Sequence, residues 1–151
     1  MSNINKLILY RMMKADSGGS PALPGSSIDR DCLGVRFKHV SKRDERNPRV
    51  DVYIDDNGIV SVKNNGKFQG LSLTIPPIAN IPEFMLDPMR GLVRFTINRL
   101  YFENHAHLMY IEDTHAHAMI VPKYDMLITD FNRYLADTAP LWEVDDDDDK
   151  D

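Results

Sequence analysis

The stretch "HAMIVPKYDMLITDFNRYLADTAPLW", His117 to Trp142, changes character halfway along. Its opening, HAMIV, is a short apolar run of the kind that forms a strand. Its second part sets Tyr124, Leu127, Ile128, Phe131, Tyr134 and Leu135 at the i, i+3, i+4, i+7 spacing of one helical face. Pro122 before the stripe and Pro140 after it mark its limits. No other part of the chain carries so persuasive a helical stripe.

Working outward, strand signals fill the preceding residues. "KLILYRMM" at 6–13, "LGVRF" at 33–37 and "VDVYI" at 50–54 are short β-prone runs. In the last of them Val50, Val52 and Ile54 alternate onto one face. Asn57-Gly58 then stands before "IVSV", a strong hairpin signal because both residues accept positive φ. "NNG" at 64–66 punctuates again, and "GLSLTI" at 70–75 runs into Pro76-Pro77, which cannot continue a ladder. "IANIPEFMLDP" reads as a long loop, and "LVRFTI" and "HLMYI" as further strands. Many strands and few helices predict a mainly β or α+β fold, with two packed sheets and one amphipathic C-terminal helix.

The chain has 151 residues, the size of one ordinary domain, and can bury a core without metals or disulfides. We read one domain over residues 1–144 and an acidic tail over 145–151. The net charge of −5 is carried by that tail, "DDDDDKD", which leaves the body balanced. The tail is either a native disordered acidic end or an enteropeptidase-type linker left from expression. Balanced charge gives no strong nucleic-acid signal. The basic run from Arg36 to Arg49 reads as a solvated loop rather than a phosphate site. Cys32 is the single cysteine, so no internal disulfide forms. The apolar "LILY" near the N-terminus is too short for a signal-peptide core or a membrane span. The expectation is a soluble protein made in a cytoplasm, with no membrane partner, and any export would use no cleaved signal.

Five histidines ask whether a metal is held. His105 and His107, and likewise His115 and His117, are His-x-His pairs, which put two rings on one face of a strand. A two-residue turn at Glu112-Asp113 would send His107 and His117 to opposite faces. A three-residue turn would leave them diagonal neighbours, roughly 7–8 Å apart. Neither suits one metal, so no metal ligands are assigned. His39, His105 and His115 read as half-exposed polar residues. His117 differs, because it opens an apolar run that should be buried.

Taken in order, the motifs resemble those of the ADP-ribosyltransferase-like toxin family exported by type VI secretion systems. "LYR" at 9–11 is followed by a Gly/Pro-rich loop, then "LGVR" at 33–36, a hairpin, "GLSL" at 70–73, and "HAMIVPKYDM" at 117–126 running into a helix. In that family an Arg sits on the first strand, a Gly-x-Ser strand follows, and a His-x-x-Ile-x-Pro-x-x-x-Met segment opens the last helix. The resemblance covers Leu9 to Trp142. It implies a split-sheet core with a cleft for NAD as substrate, transfer of ADP-ribose to a macromolecule in a target cytoplasm, and a cognate immunity protein. It assigns Arg11, with Arg36 as second candidate, to the phosphates, where a guanidinium fork binds well. It assigns Ser72 to a ribose or amide, Gly70 to close approach of the ligand, Tyr10 to packing on a ligand ring, and His117 to the reacting sugar. One departure stands out. Some family members carry Glu just before the proline, where this chain has Val121, so Glu112, Asp113 or Asp125 would have to supply the acid. That gap keeps two other readings open: a non-enzymatic binding protein on the same scaffold and, behind it, a histidine-ligated metal protein.

Overall fold

The computed structural model describes residues 7–16, 18–21, 33, 35–40 and 50–145. The basic run beyond Val40, Cys32 and the acidic tail beyond Asp145 lie outside the described residues.

Short runs of alternating or β-branched residues become short strands. The first six are β1 (Ile8–Met13), β2 (Phe37–His39), β3 (Val52–Ile54), β4 (Ile59–Val60), β5 (Lys63–Asn64) and β6 (Lys67–Phe68). After them come β7 (Leu71–Thr74), β8 (Val93–Asn98), β9 (Leu108–Glu112), β10 (His117–Pro122), β11 (Met126–Leu127) and β12 (Glu143–Val144). One described α-helix, α1 (Ile128–Ala136), follows β11. The architecture is α+β, mostly strand. No helix among the described residues is long and apolar enough to cross a membrane.

Six strands form one sheet in the order β12-β8-β1-β7-β10-β9, and four form a second, β11-β4-β3-β2. β5 and β6 make a separate hairpin. Alternation decides what the large sheet buries. Leu9, Met13, Leu71, Leu73, Phe95, Ile97, Ala118 and Ile120 point to one side and are buried. Across from them Val52, Ile54 and Val60 of the small sheet, and Phe131 and Leu135 of α1, complete one apolar cluster. Buried Gln69 bridges polar gaps in the second sheet: its Oε1 accepts from the Tyr53 N–H at 2.7 Å and its amide donates to the Ser61 carbonyl at 3.0 Å. Burying an amide is tolerable when both ends are bonded in this way.

Four local expectations change. The helix is shorter than its stripe, because Met126 and Leu127 pair with Val60 and Ile59 as β11 before the chain coils. Asn57-Gly58 sits in a four-residue loop closed by the Asp55 carboxylate, which accepts from the Asn57 and Ile59 N–H groups at 2.9 Å each. There only Gly58 has positive φ; the pair with two left-handed residues is Asn65-Gly66, between β5 and β6. The loop after Pro77 contains three short 3-10 turns, Ile78–Asn80, Glu83–Leu86 and Pro88–Arg90. Finally, the turn after Glu112 spans residues 113–116, neither two nor three residues. His107 thus lies across from Lys123, and His117 lies at the other end of the same ladder, six positions away along β10. At about 3.3 Å per residue the two rings are separated by roughly 20 Å.

Candidate active site

The turn from Asp113 to Ala116 is built to bring its two ends together. The N–H groups of Asp113 and Thr114 both donate to the His117 carbonyl at 3.2 Å. The Thr114 hydroxyl accepts from the Ala116 N–H at 3.1 Å, and the Ala116 carbonyl accepts from Ile75 N–H at 2.9 Å. Asp113 is thereby held opposite His117, and its carboxylate meets Nδ1 of the ring at 2.6 Å and 2.9 Å. A carboxylate accepts only, so Nδ1 carries a proton, and in the neutral ring Nε2 presents its lone pair outward. Nε2 has no bonding partner among the described residues, and the two side chains are 38% and 40% exposed. A base fixed in one tautomer and open to solvent can take a proton or bond a hydroxyl.

Register puts other polar side chains beside it. His117 lies opposite Thr74, and Thr74 opposite Tyr10, so the three share one face of the sheet. Ser72 is on that face too, opposite Met119, and diagonal to His117 at roughly 7–8 Å. That separation is too long for a direct bond and leaves room for a ligand group between them. The face is the one turned away from the core, and its members are half-exposed.

Arg11 is elsewhere. In β1 it shares the face of Leu9 and Met13 and points to the core side, opposite Phe95. Its Nε and Nη2 donate to the Leu33 carbonyl at 3.0 and 2.7 Å, and Nη1 donates to the Ser72 carbonyl at 2.6 Å. Arg11 and Ser72 do meet, but through the serine backbone, while the serine hydroxyl belongs to the other face. The cation on the outer face is Arg94, which sequence reasoning missed. It lies 6.0 Å from the Tyr10 ring centre and bonds Asp145 at 2.8 Å. Its signal was available, since it alternates with buried Phe95 in "LVRFTI". Arg36 is distant in the fold, beside β2, and pairs with Asp51 at 3.5 Å. Gly70 is needed for close approach, but of protein: a Cβ there would overlap the Ile120 carbonyl oxygen. Thr74 was also missed, because nothing in "GLSLTI" says which hydroxyl will face His117.

The position of the absent Glu is closed, since Val121 is fully buried. Of the three substitute acids, Glu112 accepts from the Tyr110 hydroxyl at 2.9 Å and pairs with Arg99 at 3.4 Å. With burial as the larger cause, this carboxylate helps push the Tyr110 hydroxyl up to about 12. Asp125 lies next to Val62, near the second sheet. Asp113 is the one that reaches His117.

His105 and His107 serve the frame. His105 Nδ1 accepts from the N–H groups of His107 and Leu108, both at 3.0 Å. Burial lowers its pKa, and nearby His107 and Lys123 lower it further. His107 stacks on Tyr134 at 4.1 Å and bonds the Tyr124 hydroxyl at 2.6 Å. Among the described residues no three His, Cys, Asp or Glu side chains gather closely enough to share a metal ion.

No family model, no curated protein and no solved structure matches this chain.

Proposed function

We propose that the chain is a toxin domain that consumes NAD and transfers ADP-ribose to a macromolecule in a target cell's cytoplasm. On this reading it leaves its producer by a type VI secretion route, and a cognate immunity protein protects the producer. The observation that carries the reading is the Asp113–His117 pair on one face with Ser72, Thr74 and Tyr10. It supplies, from Asp113, a carboxylate that the sequence pattern left missing at Val121. In the proposed reaction the bond between the ribose and nicotinamide breaks, nicotinamide leaves with the bonding electrons, and an acceptor nucleophile attacks the ribose carbon. His117 Nε2 takes the proton that the acceptor loses. Asp113 stabilises the imidazolium so formed, Ser72 and Thr74 bond ribose or amide oxygens, and Tyr10 packs on a ring of the substrate.

The two-sheet core is compatible with a split-sheet scaffold of the ADP-ribosyltransferase-like kind, which we propose for it. The test is release of nicotinamide from NAD by the purified chain, with growth of a bacterial host on induction as a parallel readout. Release that disappears in His117→Ala supports the reading. Growth arrest with no release would instead favour a non-enzymatic toxin that acts by binding. That second reading has one observation behind it: the Arg11 guanidinium is committed to two backbone carbonyls on the core side, away from any phosphate at the outer face.

A further inference from the structure

The outer face that carries His117 continues toward the β12 edge of the large sheet. Thr96, Tyr10, Thr74 and His117 stand in one row across β8, β1, β7 and β10, each opposite the next. Arg94 is two residues from Thr96 along β8 and shares its face, since Phe95 between them is buried on the core side. From Thr96 to His117 is three strand spacings, roughly 14 Å. That is the scale of an extended dinucleotide rather than of a single sugar.

The last described residues cover both donors at the Thr96 end of the row. Trp142 is buried and anchored, its Nε1–H donating to the Thr138 hydroxyl at 2.9 Å. Beyond it β12 consists only of Glu143 and Val144, both exposed, paired with Thr96 and Phe95. The Glu143 carbonyl accepts from the Thr96 hydroxyl at 3.5 Å. Asp145 continues the register, its N–H donating to the Arg94 carbonyl at 2.9 Å. Its carboxylate accepts from Arg94 Nε at 2.8 Å, and its own carbonyl from Nη2 at 3.4 Å. The Arg94 and Asp145 side chains are 9% and 12% exposed, so water screens the pair little.

We propose that Arg94 and Thr96 form a diphosphate-binding subsite, which Asp145 holds as an internal stand-in until the ligand displaces it. A guanidinium beside a hydroxyl is a donor set that suits phosphate, and a carboxylate meets a guanidinium much as phosphate oxygens do. Two opposing effects set how the strap behaves. A two-residue edge strand opens at small cost. A buried guanidinium left without an anion is strongly unfavourable. The strap therefore leaves when another anion takes its place, and β12 becomes a gate on that end of the face. Identifying the anion as the diphosphate of NAD rests on the function proposed above; the subsite itself rests on Arg94, Thr96 and Asp145 alone.

The test titrates the full chain, labelled with ¹⁵N, with inorganic pyrophosphate. The Arg94 Nε–H signal should shift, and the Asp145 amide should exchange about tenfold faster as its bond to Arg94 is released. Two variants open the gate by different means. Asp145→Asn removes the charge and keeps the ladder, whereas Glu143→Pro removes a ladder N–H and keeps the charge. Each should bind pyrophosphate about tenfold more tightly than wild type, and Arg94→Gln should bind about tenfold more weakly. The proposal is overturned if both gate variants bind no better than wild type, which would make the Arg94–Asp145 pair a structural staple. Pyrophosphate that leaves the Arg94 signal unmoved in wild type and Asp145→Asn alike overturns it too. Pyrophosphate binding without nicotinamide release would sink the NAD reading and spare the subsite; release without any pyrophosphate response would do the reverse.

Discussion

At the scale of single residues, the same physical rules give Arg11 and His117 opposite fates. His117 is bonded at one nitrogen and open at the other, so its removal should cost chemistry rather than stability. His117→Ala is expected to lower nicotinamide release by roughly a hundred- to ten-thousandfold, while the midpoint of thermal unfolding stays nearly unchanged. Asp113→Asn should retain the fold and lose much of the activity, because an amide can orient the ring but cannot stabilise an imidazolium. Equal nicotinamide release by wild type and both variants would remove these residues from the reaction. Arg11 is the reverse case. Its three charge-assisted bonds satisfy carbonyls that become orphans in Arg11→Ala, and we expect roughly 2–4 kcal/mol less stability in urea unfolding. If Arg11 instead contacted phosphate, the variant would unfold like wild type and bind NAD less well. The sequence showed that an arginine sat on the first strand. It did not show which face, because Leu9 and Met13 beside Arg11 are no more apolar than Ile8 and Met12 of the opposite set.

Single elements show where pattern reading holds and where it fails. β10 and the stripe of α1 were legible, since Ala118, Ile120, Phe131 and Leu135 are buried as their spacing requires. The start of α1 was not, because Leu127 has helical spacing yet pairs with Ile59. Leu127 is also the helix N-cap, with extended φ and ψ and no side-chain bond to the first turn. Asp at that half-exposed position should accept one of the free N–H groups and add about 1 kcal/mol, raising the unfolding midpoint by about 2–4 °C. An unchanged midpoint would show that the Leu127 side chain matters more to β11 than to the helix. The start of β9 carries a pH dependence. His105 must be neutral to accept two N–H groups, and burial, His107 and Lys123 all lower its folded pKa, while Asp137 opposes them. With the folded value below the ordinary 6.5, the His105 contribution is whole above that pH and is lost as pH falls from there through the folded value. His105→Asn keeps an acceptor that does not titrate, so its stability should fall less between pH 7 and pH 5 than that of wild type. Parallel stability curves for the two proteins would discount the role given to this ring.

For the whole molecule, strand count and hydrophobic alternation gave the α+β class, but not how the strands are ordered. Neither "KLILYRMM" nor "LVRFTI" says that it will lie beside the other, since any antiparallel partner of similar length satisfies the same alternation. Nor did Gly70 announce its purpose, which depends on where β10 crosses it. Gly70→Ala is expected to prevent folding at ordinary temperatures, because the obstacle is the Ile120 backbone rather than a side chain that can swing aside. A folded variant with native exchange protection would show that β7 and β10 can separate. The placement of β1 has one more consequence, which concerns time. Of the strands described, β1 is made before the others yet ends up in the interior of the sheet, and Ile8 waits for Asn98 as its neighbour. Trp142, almost at the end of the described chain, is part of the same core. Loops this long must close before any of their contacts repay the entropy, so folding is expected on a millisecond-to-second scale rather than in microseconds. A nascent chain halted before β8 lacks the neighbour that encloses β1, so the large sheet cannot close until β8 has been made.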